Sequence, residues 1–170
     1  MARPIRVLVA DDHMIVRTGI RHVLESETDL VVVGEAGSGS EAISLAGELQ
    51  PDVVVLDISM PDQSGLEVAA SLRTSTPPPR ILILSMHNNP EYVLESVRAG
   101  AHGYLLKDTA AAELRTAIRA VCRGESYFSA PVATRLTAAV RGEYGSSNAA
   151  LDQLTARERE VLLGIARGLT

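Results

Sequence analysis

Disulfides cannot hold this chain together, because its 170 residues include a single cysteine, Cys122. A lone thiol forms no internal bridge and fits a reducing, cytoplasmic setting; on a helix it is simply a small apolar residue. Aromatics are nearly missing as well: one Phe, four Tyr and no Trp. The core therefore has to be built from Val, Leu, Ile and Ala, which suits a buried parallel sheet flanked by helices. No apolar run approaches the roughly 18 residues of a membrane span, and no long apolar stretch follows the Met-Ala-Arg-Pro start. Neither a membrane nor a secretory signal is expected. Positive charge is scarce too. A net charge of −5 argues against nucleic acid as the partner of the chain as a whole. His13, His22, His87 and His102 lack metal-ligand spacing and share no obvious locus.

What the chain does have is alternation. Short apolar runs at Ile5–Ala10, Leu30–Val33, Val53–Leu56, Ile81–Leu84 and Tyr104–Leu106 read as strands. Between them lie segments of helical period. The first runs from His13 to Ser26, with Ile15, Val16, Ile20, Val23 and Leu24 on one face. A capping box at Ser38 and Glu41 starts the second, which reaches about Gln50 before Pro51. The third passes through Val68 and Leu72, and Pro77-Pro78-Pro79 follows it. Pro90 opens the fourth and Gly100 ends it; the fifth spans Ala110 to Arg123. Strands alternating with helices make an α/β domain, and right-handed crossovers put helices on both faces. The expected architecture is a flavodoxin-like, doubly wound, five-stranded parallel sheet of order 2-1-3-4-5, with its switch point between strands 1 and 3.

Composition shifts after Gly124. Residues 1–125 are read as one domain and 126–150 as a linker with one helix over Pro131–Arg141. The small, polar stretch 143–150 follows. From Leu151 the period is helical again. Thr155 and Glu158 form a further capping box, and Val161, Leu162 and Ile165 make one apolar face.

The polar residues that end the strands share one location. Asp11 and Asp12 follow strand 1, Asp57 strand 3, Ser85 strand 4 and Lys107 strand 5. In a parallel sheet those ends lie along one edge, beside the switch point where ligands bind. Any one of these alone is an ordinary turn former, cap or solvated charge. Together they are a chemical set. Three clustered carboxylates repel one another unless a cation or proton intervenes, and an all-oxygen set favours Mg²⁺. A carboxylate is a competent nucleophile toward phosphorus, and in-line phosphoryl transfer needs positive charge on the equatorial oxygens. Lys107 supplies such charge, and the Ser85 hydroxyl can donate to a phosphoryl oxygen.

These residues resemble the response-regulator receiver domains over about Ile5 to Arg123. The signature stands as Val-Ala-Asp11-Asp12, Val-Leu-Asp57-Ile-Ser-Met-Pro61, Leu-Ser85-Met-His and Leu-Leu-Lys107-Asp. The resemblance implies that Asp57 accepts a phosphoryl group from a sensor histidine kinase. It implies that Asp12, Asp57 and the backbone carbonyl of Ser59 ligate Mg²⁺, with Asp11 acting directly or through water. Ser85 and Lys107 would contact the phosphoryl group. Tyr104 occupies the family's switch position, which implies that it turns inward when Ser85 moves. Such a protein is no metabolic enzyme; it catalyses its own phosphorylation and dephosphorylation, and a homodimer is expected on phosphorylation.

Leu154-Thr155-Ala-Arg157-Glu158-Arg-Glu160-Val161-Leu162, with Gly168-Leu169-Thr170, resembles the opening of the NarL/FixJ (LuxR-type) helix-turn-helix effector. Residues 151–170 then hold the start of a DNA-binding domain without its recognition helix. After Ser129 five arginines face four acids, a net of +1 and no basic patch. The expectation is that DNA is bound by the complete protein and not by this chain.

Two other classes fit the same architecture. A flavodoxin-like carrier needs a hydroxyl- and Gly-rich phosphate cradle after strand 1, where this chain has Asp11-Asp12. An aspartate-nucleophile phosphatase needs a second acid two residues past the nucleophile, where this chain has Ser59.

Overall fold

The computed structural model describes residues 2–109 and 111–140. The expectations for 141–170, including the second capping box and the helix-turn-helix start, lie outside the described residues. Five strands alternate with five helices as expected: β1 (Ile5–Ala10), α1 (Met14–Glu25), β2 (Leu30–Ala36), α2 (Gly39–Leu49), β3 (Val53–Leu56), α3 (Gly65–Leu72), β4 (Arg80–Ser85), α4 (Pro90–Ala99), β5 (Gly103–Leu106) and α5 (Ala111–Cys122). A two-residue β6 (Tyr127–Phe128) and a helix α6 (Ala130–Val140) follow. All pairings are parallel, and the order is β2-β1-β3-β4-β5-β6.

Local signals account for the helix starts. Ser38 accepts from the Glu41 amide at 3.2 Å, and Ser64 does the same for Glu67. Each hydroxyl satisfies an amide that the first helical turn leaves unpaired. Pro90 stands at the start of α4, and Gly100 closes it with φ +103°, a left-handed conformation that costs glycine least.

Alternation along the strands sorts the core into two layers. Val53, Val55, Leu82, Leu84 and Leu105 pack with Ile20 and Leu24 of α1 and with Leu114, Ile118 and Val121 of α5. Val54, Leu56, Ile81, Ile83 and Tyr104 face the other way, against α2, α3, α4 and α6. The helices on both faces lift the strand ends into a single polar edge.

The structure corrects the sequence reading at the C-terminal side. Among the described residues the sheet has six strands, not five, and the segment expected to be a linker supplies the sixth. Tyr127 and Phe128 pair with Gly103 and Tyr104. Val132 and Leu136 of α6 are completely buried in the layer that includes α4 and Tyr104. Two residues are too few to show a period, and the Ala- and Thr-rich α6 has no strongly apolar stripe. If α6 belongs to this core, Leu136→Ala should destabilise the chain by about 2–5 kcal/mol, the usual cost of removing a buried leucine side chain. Urea unfolding measures it. A loss under about 0.5 kcal/mol is what a loosely attached linker helix would give.

Candidate functional site

Ladder hydrogen bonds run one residue past the strands and pin the site's backbone. The Asp11 amide donates to Ala36 O at 3.0 Å, Asp57 to Ala10 O at 2.9 Å, and Lys107 to Ser85 O at 2.9 Å. Asp11, Asp57 and Ser85 are thereby held at the C-terminal edge of three adjacent strands, and all three are buried. Asp12 remains exposed.

Lys107 ties the carboxylates together. Its Nζ lies 3.0 Å from Asp57 Oδ2, to which it donates, and 2.9 Å from Asp11 Oδ2. The contact with Asp11 is an ion pair, and that buried oxygen has no further hydrogen-bond partner among the described residues. Burial pushes the Asp57 carboxyl up; Lys107 pulls it down, nearby Asp11 pushes it up again, and the net shift is upward. Burial alone would depress the Lys107 ammonium, but the Asp11 and Asp57 carboxylates outweigh it and hold the group above the usual lysine range. Lys107 is therefore a fixed cation, and it is the only lysine in the sequence. An ammonium is a compact point charge that can serve two carboxylates at once, which a planar guanidinium fork does less readily.

Asp11, Asp12, Asp57 and His13 can each place one ligand atom within 4.8 Å of the others. An unsatisfied buried oxygen among three carboxylates is what a hard divalent cation would complete, so the residues fit Mg²⁺. His13 is the addition that its sequence spacing did not suggest. Its amide donates to Asp11 Oδ1 at 2.8 Å, and its Nδ1 lies 3.0 Å from Asp12 Oδ1. Ser59, singled out for its carbonyl, is exposed and donates its amide to Asp57 Oδ1 at 3.3 Å.

Two further residues escaped the sequence reading. Arg17, one turn after His13, donates to the Asp11 carbonyl at 2.6 Å. Asp62 clips the loop after β3 onto α2, accepting from the Gly39 and Ser40 amides at 2.7 and 2.9 Å. Hydrogen bonds from Ser40 and Gly39 hold its carboxyl well below the usual range. Carboxylates favour helix N-termini for this reason, and Glu41 had already marked that terminus in the sequence.

Ser85 Oγ accepts from the His87 amide at 3.1 Å. Tyr104, the expected switch residue, is completely buried, and its hydroxyl donates to the His87 carbonyl. Burial raises the phenol above its ordinary value, and a hydrogen bond with Ser85 partly offsets the rise. The edge thus brings together a buried carboxylate, an ammonium paired with it, a carboxylate set that fits a divalent cation, and a hydroxyl.

Comparison with known proteins identifies the family. The family model described as "Response regulator receiver domain" matches residues 7–119. The chain is 43% identical over 167 residues to the uncharacterized transcriptional regulatory protein YxjL of Bacillus subtilis, covering 97% of this chain and 77% of that protein. It is 38% identical over 166 residues to the nitrate/nitrite response regulator protein NarL of Escherichia coli, covering 98% of this chain and 77% of NarL. A crystal structure of a LuxR-family two-component response regulator from Aurantimonas superposes with a TM-score of 0.74 at 37% identity, covering 78% of this chain and 94% of that one.

Proposed function

We propose, from the premise that this chain belongs to the response-regulator receiver family, that Asp57 is the residue on which it is phosphorylated. The chain is a two-component response regulator of the NarL and LuxR kind, with transcription controlled through DNA binding in the full protein. Receivers of this family are phosphoacceptors. What supports Asp57 is the ion pair that places the Lys107 ammonium 3.0 Å from its Oδ2, beside Asp11 and Asp12.

A carboxylate oxygen of Asp57 attacks phosphorus in line. A P–O bond forms as the bond to the donor breaks, and the electron pair leaves with the donor, the imidazole of a sensor histidine kinase. Lys107 passes from the carboxylate to a phosphoryl oxygen, and Ser85 donates its hydroxyl hydrogen to another. Mg²⁺ held by Asp11, Asp12, Asp57 and the Ser59 carbonyl would neutralise the same oxygens. Water then attacks phosphorus, the P–O bond to Asp57 breaks, and inorganic phosphate leaves with the carboxylate restored, the receiver catalysing its own dephosphorylation.

Met14, Ile15 and Met86 are exposed apolar side chains one or two residues from His13 and Ser85 in sequence, as suits kinase docking. The phosphorylated chain pairs with a second copy. DNA is bound by the complete protein, through a domain that residues 151–170 begin. The protein works in the cytoplasm, and among the described residues no helix is long and apolar enough to cross a membrane.

Incubation with acetyl phosphate and Mg²⁺ should add one phosphoryl group by intact mass. Chelation with EDTA, or Asp12→Ala, should abolish the addition. Undiminished phosphorylation in EDTA would rule out the metal-assisted mechanism.

A further inference from the structure

His87 stands two residues past Ser85, in the loop between β4 and α4. In the structure it joins three elements. Its amide donates to Ser85 Oγ at 3.1 Å, at the end of β4. Its carbonyl accepts from the hydroxyl of Tyr104 on β5. Its ring stacks on Tyr92 in the first turn of α4, with centroids 4.4 Å apart and planes 16° from parallel. The Tyr92 carbonyl in turn accepts from Ser96 Oγ at 2.7 Å, and Tyr92 packs against the core layer that contains Tyr104.

We propose that His87 is a positioning residue for the phosphorylation switch, its stack on Tyr92 fixing the loop carbonyl that captures Tyr104 in the inward orientation. The inference rests on the reading of Asp57 as phosphoacceptor and Ser85 as its phosphoryl contact. The carbonyl belongs to a loop that α4 must hold in place if the tyrosine is to find it. Among its hydrogen bonds and ring contacts with described residues, the ring stack is the one that reaches α4, while the main-chain bonds go back to β4 and β5. Loosening the ring therefore frees the carbonyl to drift, and Tyr104 loses the acceptor of a buried hydroxyl. An arrangement that phosphorylation selects becomes less favourable, and by linkage so does the phosphorylated or phosphoryl-mimicking state. The requirement is for a flat ring against Tyr92. Phenylalanine meets it and alanine does not.

The test is the affinity for beryllium fluoride in the presence of Mg²⁺, followed by amide chemical shifts in the intact chain. A stacked aromatic pair corresponds to about a two- to tenfold change in an equilibrium constant. His87→Ala and Tyr92→Leu should each weaken beryllium fluoride binding by about two- to tenfold, and the double variant should add little. His87→Phe should bind as the parent does. Equal loss in His87→Phe and His87→Ala would overturn the proposal, and so would unchanged or tighter binding in His87→Ala. Should His87→Ala unfold, Tyr92→Leu carries the same comparison. Failure of the parent chain itself to bind beryllium fluoride is a different result: it refutes the Asp57 reading and takes this inference with it.

Discussion

Asp57→Asn is expected to take up no phosphoryl group from acetyl phosphate and Mg²⁺, and to melt at a higher temperature than the parent. The first outcome follows from chemistry, since an amide lacks the anionic oxygen that attacks phosphorus. The second follows from electrostatics. Burial, the largest influence on this carboxyl, holds its folded-state pKa above the unfolded value of about 3.9. A raised acid pKa contributes stability that is present below the unfolded pKa and lost as pH rises through the folded one. At neutral pH the ionised, buried carboxylate is therefore a liability. Asparagine removes it, and Lys107 keeps Asp11 as its partner at 2.9 Å. Each kcal/mol so gained should raise Tm by about 2–4 °C in a chain of this size. Calorimetry at pH 7 reads the effect, and a lower Tm for Asp57→Asn would contradict the electrostatic account.

A still larger structural effect is expected at Gly65, the first residue of α3. Its amide donates to the Ile58 carbonyl at 2.8 Å, drawing the helix start against the chain that carries Asp57. A Cβ at this position would lie 2.1 Å from the Asp57 carbonyl oxygen and 2.9 Å from Ile58 Cα. Both are backbone atoms, so no side-chain rotation relieves the clash. Overpacking of this kind costs about 1–3 kcal/mol, and more when main chain must move. Gly65→Ala should therefore lower Tm by about 2–12 °C. Phosphorylation should slow by about a hundredfold, because a displacement near 1 Å suffices for such a loss in a transfer reaction. Gly47 in α2 is the control: a Cβ there meets nothing within 4 Å. Gly47→Ala should stabilise by about 0.5–1 kcal/mol, the helical advantage of alanine, with phosphorylation unchanged. A wild-type melt and rate for Gly65→Ala would mean that the helix start does not constrain the Asp57 loop.

The site was legible in the sequence where topology alone decides it. Parallel strands must bring Asp11, Asp57, Ser85 and Lys107 to one edge, whatever the loops do. The solitary lysine was a further signal, since every other side-chain cation except the histidines is an arginine. What was not legible depends on backbone geometry inside loops. His13 joins the carboxylates through a hydrogen bond from its backbone amide to Asp11, and His87 meets Ser85 and Tyr104 through main-chain groups while its ring stacks on Tyr92. No residue type announces either role. The β6 strand and the burial of α6 were hidden for a different reason. Tyr127-Phe128 shows no alternation, and Val132 and Leu136 look no more apolar than many residues of a solvated helix until α4 is seen against them.

Borohydride reduction of the phosphorylated chain, followed by peptide mass mapping, tests the central claim most directly. An aspartyl phosphate is an acyl phosphate, and hydride reduces it to the alcohol, converting that one aspartate to homoserine. The expected result is homoserine at position 57, formed only after treatment with phosphodonor and Mg²⁺, with Asp11 and Asp12 unchanged. Homoserine at position 11 or 12, or a stable phosphate on Ser85 with Asp57 intact, would contradict it.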